Sequence, residues 1–426
     1  MKQNYFIIVL IFVIFSVISF LTNIINPLIP DVKSGFNLSN ALAGMLPFSF
    51  FIAYGVMSIP AGILLERTGA KPMLVIPFLM AFLAALGFSL FQTFPVYLVS
   101  LFTIGLGMAM LQVTINPLLR SAGGESHFAA YSVLAQLFFG GAGYLGPQLY
   151  SYLVGELGNG KELTGITGLL DSITPDAFPW MSLYWVFALV TLLMAALILF
   201  SKLPKVELKE DERAGTVTTY WGLMKNKTVI LFFFGIFAYV GTEQGVGNWI
   251  SQFLNVYHDV DPQTMGADTV SRFWAMLTIG CMLGLVLLKL FDCRKVLVVF
   301  SSCAIISLTL GLFGSKEVSL IAFPMVGFFA SVMWSVIFSL ALNSVAEHHG
   351  SFSGVLCTGI MGGAIVPFLV GSLADLVGLR LGMALLYVTL GYILSIGLWA
   401  KPLINNSTVS LKDLFQSIGK KKTEQR

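Results

Sequence analysis

Apolar positions in this chain run in long blocks separated by short polar connections. The windows cover residues 5 to 29, 39 to 65, 72 to 91, 95 to 119, 128 to 154 and 179 to 201. After a charged interval they resume at 229 to 255, 269 to 290, 296 to 313, 319 to 345, 352 to 377 and 381 to 400. A bilayer core takes about 20 apolar residues per helix, so each window predicts one membrane-spanning helix. The predicted fold class is all-α membrane: a twelve-helix bundle in two six-helix halves. The expected division is residues 1–201 as the amino-terminal half, 202–228 as a cytoplasmic linker, 229–401 as the carboxy-terminal half and 402–426 as a cytoplasmic tail.

Composition agrees with lipid as the solvent. The chain is 57% hydrophobic and only 11% charged, against about 45–50% and about 25% in soluble domains. After twelve spans no length remains for an added soluble domain. A formal charge of +3 is too mild for a nucleic-acid partner, and the basic residues sit in loops beside spans. Cys281, Cys293, Cys303 and Cys357 lie in or beside apolar stretches without CxxC spacing, which indicates neither disulfides nor zinc. The run from Tyr5 continues to Ile29 without a small-x-small cleavage site, so it reads as a retained first helix rather than a signal peptide.

Lys and Arg in short loops favour the cytoplasm. With both termini inside, only Lys33, Lys161, Arg272, Lys316 and Arg380 of the 24 basic residues fall on the outer side. The expected location is a bacterial inner (plasma) membrane, crossed many times.

Two short loops repeat at the same place in each half. Glu66-Arg67-Thr-Gly69-Ala-Lys71 follows the second window and Asp292-Cys-Arg294-Lys295 the eighth, as when two halves are related by an axis along the membrane normal. Within Gly62-Ile-Leu-Leu-Glu66-Arg67-Thr-Gly69-Ala-Lys71 the first loop resembles the cytoplasmic signature of the major facilitator superfamily, with Glu66 where Asp is usual. The resemblance implies that Glu66, Arg67 and Lys71 are gating residues, charges that pin a helix end and help latch the halves together.

Ionisable groups at bilayer depth are expensive and tend to be functional. Of 21 acids, Glu243, in Tyr239-Val-Gly-Thr-Glu243-Gln244-Gly-Val-Gly-Asn248-Trp249, falls nearest the middle of a window. It is the expected coupling-ion residue. Desolvation disfavours a charged carboxyl, so Glu243 could carry a proton inward; it could also ligate sodium, or merely bond neighbouring helices. Asp375, near the outer end of the eleventh window beside Arg380, reads as structural.

Amides stand at helical spacing around that acid. Gln112 and Asn116 are four apart in the fourth window, as are Gln244 and Asn248 in the seventh, so each pair shares a helix face. Asn23 and Asn26 precede Pro27 in the first, and Ser335, Ser339 and Asn343 form a stripe in the tenth beside Trp334. In the superfamily the first, fourth, seventh and tenth spans line a central cavity. Each buried amide could instead be interhelical glue; together they predict a binding chamber. Amides that donate and accept, with apolar faces from Trp249 and Trp334, suit a neutral hydroxyl-rich solute. Arg272 and Lys289 stand at the ends of the eighth window, and no Lys or Arg appears deep in the membrane as a counter-ion, which disfavours anionic substrates.

Glycine marks surfaces over which halves could rock: Gly140, Gly141, Gly143 and Gly146 on the fifth window, and Gly359, Gly362, Gly363 and Gly371 on the eleventh. Pro27, Pro117, Pro147 and Pro367 are expected to kink or end helical segments.

Four segments carry a narrower resemblance: Leu111-Gln112-Val-Thr-Ile-Asn116-Pro117, Leu134-Ala135-Gln136, Tyr239-Val-Gly-Thr-Glu243, and the stretch from Ile337-Phe-Ser339 to Gly362-Gly363-Ala-Ile-Val-Pro367. They resemble the fucose–proton symporter family of sugar permeases, which includes glucose/galactose transporters. The resemblance implies a secondary active importer of a neutral monosaccharide, coupled to protons or sodium, and a binding role for Gln112, Asn116, Gln136 and Glu243. Asn23 and Gln112 stand where the fucose symporter has acids, and Phe139 replaces an amide expected after Leu-Ala-Gln. The expected substrate-binding set is Asn23, Gln112, Asn116, Gln136, Gln244, Asn248, Trp249, Trp334 and Asn343. The expected partners are the sugar, the coupling ion and the lipid bilayer, with no cofactor and a monomeric chain.

Enzyme chemistry finds no support: His127, His258, His348 and His349 all fall in loops. Gly155-Glu-Leu-Gly-Asn-Gly160-Lys161 mimics a phosphate loop, but Glu162 replaces the required Ser or Thr. The rival reading is an exporter of drugs or amphiphiles on the same fold.

Overall fold

The computed structural model describes residues 4–123, 128–157, 165–203, 217–345 and 349–403. Among them every regular element is helical, and eleven helices are long and apolar enough to cross a membrane. A further 30-residue helix, Phe128–Leu157, occupies the place of the fifth window. The amino-terminal half consists of Tyr5–Gly35, Asn40–Thr68, Ala70–Leu90, Phe94–Gly123, Phe128–Leu157 and Pro179–Phe200. A short helix, Val217–Met224, lies in the expected linker, most of which falls outside the described residues, as does the tail beyond residue 403. The second half begins with Lys227–Gly247 and Ile250–His258, followed by Pro262–Leu290, Cys293–Phe313, Lys316–Leu342, His349–Val377 and Leu379–Trp399.

Spans start and stop for local reasons. Ser39 Oγ accepts the Leu42 N–H and Asp292 Oδ1 accepts the Arg294 N–H, each satisfying a donor that a helix start leaves unpaired. Gly69 at φ 79° separates the second span from the third, and Gly378 at φ 85° the eleventh from the twelfth. A side chain would be strained at either place.

Several spans are interrupted at mid-depth. The first breaks at Ile24, between Tyr5–Asn23 and Ile25–Gly35, and the seventh breaks at Asn248 and Trp249. The tenth breaks between Ala330 and Met333, and the eleventh passes through a tight turn at Gly359–Met361. Such breaks free backbone groups inside a bundle where protein or water must satisfy them. Pro27 follows the first break as expected. Pro147 and Pro367 do not end helices; they lie inside Phe128–Leu157 and Gly362–Val377, where neighbouring spans hold the segment together.

The halves meet along two seams. The second span packs on the eleventh: a Cβ at Gly44 would lie 2.9 Å from Phe368 Cα, and one at Gly371 2.4 Å from the Asn40 carbonyl. The fifth packs on the eighth, where a Cβ at Gly140 would strike Thr278 at 1.7 Å. Glycines of the fifth and eleventh spans therefore do form contact surfaces between halves. Gly359 and Gly362 instead admit the seventh span of their own half, and Gly146 the first span of its half.

Candidate functional site

The bundle has two dissimilar ends, one carrying Asp375 and the other Arg67. At the Asp375 end polar bonds cross both seams. Asp375 Oδ1 and Oδ2 accept the backbone N–H groups of Asn40 and Ala41 at 2.8 and 2.7 Å. Its carboxylate thus sits on the N-terminus of the second span, where helix dipole and unpaired donors favour a negative charge. The expected Arg380 neighbour is engaged elsewhere, its guanidinium over the Tyr257 ring at 4.5 Å. On the other seam Asp31 accepts the Tyr150 hydroxyl at 2.8 Å and Gln263 Nε2 at 3.1 and 3.2 Å. Gln148 Nε2 reaches Asp268 Oδ1 and Ser271 Oγ, each at 3.2 Å, and Ser151 Oγ donates to the Gln263 carbonyl. These bonds hold the Asp375 end shut.

Toward the Arg67 end polar side chains are open. Gln136 is exposed, four residues before Gly140 and so on the face turned to the eighth span. Ser335 and Ser339 on the tenth span are exposed and Gln112 on the fourth is half-buried. An amide exposed at membrane depth belongs against water, not acyl chains. Asn343 Nδ2 approaches Ser339 Oγ at 3.4 Å near the end of the tenth span. The Asn116 side chain lies outside the described residues.

Between the ends lies the acid. Glu243 is half-buried; Tyr239, one turn earlier, donates its hydroxyl to one carboxylate oxygen, and Gln244 Nε2 bonds the other at 3.2 Å. The Trp334 ring lies 6.0 Å from that of Tyr239 and stacks on Phe338. Gln244 and Asn248 are buried, and Asn248 Nδ2 donates to the Gln244 carbonyl at 2.7 Å, an oxygen that also accepts the Asn248 backbone N–H at 3.0 Å. With its amide oriented to satisfy both neighbours, Asn26 donates to the Asn23 backbone carbonyl at 2.6 Å and accepts the Asn248 N–H at 3.2 Å. The breaks of the first and seventh spans are thereby tied together across the halves.

The site residues expected from sequence therefore divide. Asn23, Glu243, Gln244 and Asn248 gather at the paired breaks; Gln112, Gln136 and Asn343 lie toward the Arg67 end; Trp334 stands between. Trp249 is wholly buried in this conformation: its N–H donates to the Pro367 carbonyl at 3.2 Å and it packs at Gly371. The break of the seventh span turns its ring against the eleventh span. Glu66 and Arg67 are exposed, while Lys71 Nζ bonds the Ser201 carbonyl at 3.1 Å within its own half. Glu66 lies close enough to Tyr220 of the linker helix to help raise that phenol's pKa, chiefly a result of burial.

Sequence reasoning missed Asp31, Tyr150, Gln263 and Trp274. Asp31 fell past a window that ends at Ile29. The helix runs on to Gly35, with Pro27 tolerated in the first turn of its second segment. Nothing local to Trp274 distinguishes it from an ordinary apolar position.

Helices broken around buried amides and one carboxyl, closed at one end and open at the other, define a membrane transport protein rather than an enzyme. The match is specific: the family model described as Major Facilitator Superfamily covers residues 11–366, and the chain belongs to that family. It is 30% identical over 412 residues to the glucose/galactose transporter of Brucella abortus, covering 93% of this chain and 95% of the relative. It is 24% identical over 376 residues to the L-fucose-proton symporter of Escherichia coli K12, covering 84% of each. The crystal structure of the E. coli fucose:proton symporter superposes with a TM-score of 0.68 at 21% identity, covering 94% of this chain and all of that one. An inward-facing bacterial homologue of the lysosomal transporter Spinster superposes at 0.77 with 14% identity, covering 94% and 97%. Both show a shared fold.

Proposed function

We propose that this protein imports a neutral monosaccharide across the bacterial inner membrane by alternating access, driven by one proton or sodium ion per sugar. The observation that carries the reading is Glu243, a half-buried carboxyl at mid-depth, bonded by Tyr239 and Gln244 and set beside the amides of two broken spans. A chamber of amides with one acid suits hydroxyl groups plus a single cation. The names of the relatives, a glucose/galactose transporter and an L-fucose-proton symporter, support the same solute class.

In this scheme Glu243 takes up the coupling ion. Asn23, Gln112, Asn116, Gln136, Gln244, Asn248, Trp334 and Asn343 contact the sugar along its path, Trp249 braces the eleventh span, and Glu66, Arg67 and Lys71 serve the closing of the Arg67 end. The excess of Lys and Arg in loops at the Arg67 end supports termini in the cytoplasm. The Asp375 end is then the outer one, and the conformation described faces inward. One cation crossing with the field gains about 2.3 kcal/mol per 100 mV, enough for about fiftyfold accumulation at that voltage.

Uptake of labelled glucose, galactose and fucose into proteoliposomes, under an imposed proton or sodium gradient, tests the proposal. Glu243→Gln should abolish uphill accumulation and leave exchange of sugar between the two sides. Accumulation surviving that change would remove Glu243 from the coupling role. Failure of all three sugars to enter would reject the solute class.

A further inference from the structure

Three buried polar groups beside the paired breaks of the first and seventh spans have no partner. They are Asn23 Oδ1 on the first span, Asn248 Oδ1 at the break of the seventh and Trp274 Nε1 on the eighth. Their side chains are 1%, 0% and 1% exposed. Buried polar atoms are almost always paired, so three orphans in one region point to a missing partner.

The contacts place the three residues in one region. A Cβ on Gly143 would lie 3.3 Å from Trp274 Cβ and Cγ and 3.4 Å from Asn23 Nδ2. The fifth span is thus bare where these two side chains converge. Asn26 joins the Asn23 backbone to the Asn248 backbone, and Phe273, next to Trp274, lies 3.8 Å from where a Gly247 Cβ would be. The first span contributes one of the three groups, and two spans of the opposite half contribute the others.

We propose that Asn23, Asn248 and Trp274 form a subsite for a vicinal diol of the transported solute, with Trp274 a specificity residue. This rests on the sugar reading above and deepens it. Two carbonyl oxygens and one N–H match two adjacent hydroxyls, which donate to both carbonyls while one of them accepts from the indole. An ammonium group or metal cation would face the indole N–H, and an anion would face two carbonyls, so each leaves a mismatch that a neutral diol does not. Because the groups belong to opposite halves, closing the outer end without solute strands all three. Closing over a diol satisfies them, which favours loaded closure over empty closure.

The test measures binding of D-glucose, D-galactose and L-fucose to the purified protein, followed by monodeoxy analogues of the sugar bound most tightly. In the wild type, removing one hydroxyl of the recognised pair should weaken binding about tenfold or more, while removal elsewhere costs far less. Trp274→Phe keeps the ring and loses the N–H. It should weaken the parent sugar about tenfold yet bind the sensitive deoxy analogue as the wild type does, the two losses failing to add. Equal losses across all analogues, or an unchanged affinity for the parent sugar, would overturn the subsite. If Trp274→Phe does not fold, the wild-type panel decides alone, a flat response to every deoxy position rejecting the diol. Wild-type protein that binds none of the three sugars refutes the function itself and the subsite with it. A wild type that binds, with a Trp274→Phe variant indifferent to the hydroxyl pattern, refutes only the subsite.

Discussion

Asp375 is the clearest place to perturb the alternation between inward and outward states. Its two oxygens accept backbone N–H groups of Asn40 and Ala41 at 2.8 and 2.7 Å, bonds that exist only while the outer end is shut. Asp375→Asn keeps the shape, removes the charge and turns an NH2 group toward one of the two donors. Hydrogen bonds to a charged group contribute about 1.5–3 kcal/mol each when well shielded. Asp375 is exposed, and solvent screening reduces the pair to about 1–2 kcal/mol together. The outward-open fraction should then rise about five- to thirtyfold. The assay is a membrane-impermeant maleimide reacting with a cysteine at Phe48, which packs on Phe368 across the closed seam at 5.6 Å between ring centres. Its labelling rate, measured against the Phe48-containing parent with its four native cysteines, reports opening of that seam. Asp375→Glu should restore much of the closure, whereas Arg380→Met should leave the rate unchanged, because Arg380 rests on aromatic rings rather than on Asp375. An unchanged rate in Asp375→Asn, or an equal rise in Arg380→Met, would refute the latch.

Other expected outcomes follow from the same contacts. Gly371→Leu places a side chain against the Asn40 carbonyl, 2.4 Å from the Cβ position, so the second and eleventh spans should part and impermeant labelling at the outer end should increase. Asp292 caps the ninth span and pairs with Arg294 at 2.9 Å; Asp292→Ala should cost about 1 kcal/mol, read as a lowered Tm in detergent. The Arg294 guanidinium holds the Asp292 carboxyl below its ordinary value of 3.8. Its contribution is therefore complete above that value and is lost as pH falls through the lower folded value. Thermal shifts of wild type and Asp292→Asn should differ at neutral pH and converge in strong acid. Glu243→Gln, tested by uptake as described, separates coupling from binding.

Much of this molecule was legible in one dimension. Span positions follow from runs of apolar residues, because lipid demands a helix wherever the chain crosses it, and the repeat of Glu66-Arg67 and Asp292-Cys-Arg294 announced two halves. The cluster of Glu243, Gln244 and Asn248 was visible too, since a carboxyl and two amides within six residues are improbable in lipid unless something polar meets them. Pairing was not legible. Asp375 stands five residues from Arg380 in sequence, yet bonds N–H groups more than three hundred residues away. Trp249 bonds the Pro367 carbonyl of a span more than a hundred residues on. Trp274 has an unremarkable sequence context and acquires meaning only beside Asn23 and Asn248. Hydropathy is a local property, read from each residue and its neighbours, so the positions of the helices could be read without knowing what they touch. Which faces meet depends on breaks, glycine clearances and contacts between remote segments, and tertiary structure alone decided the seam, the latch and the partners of the buried amides.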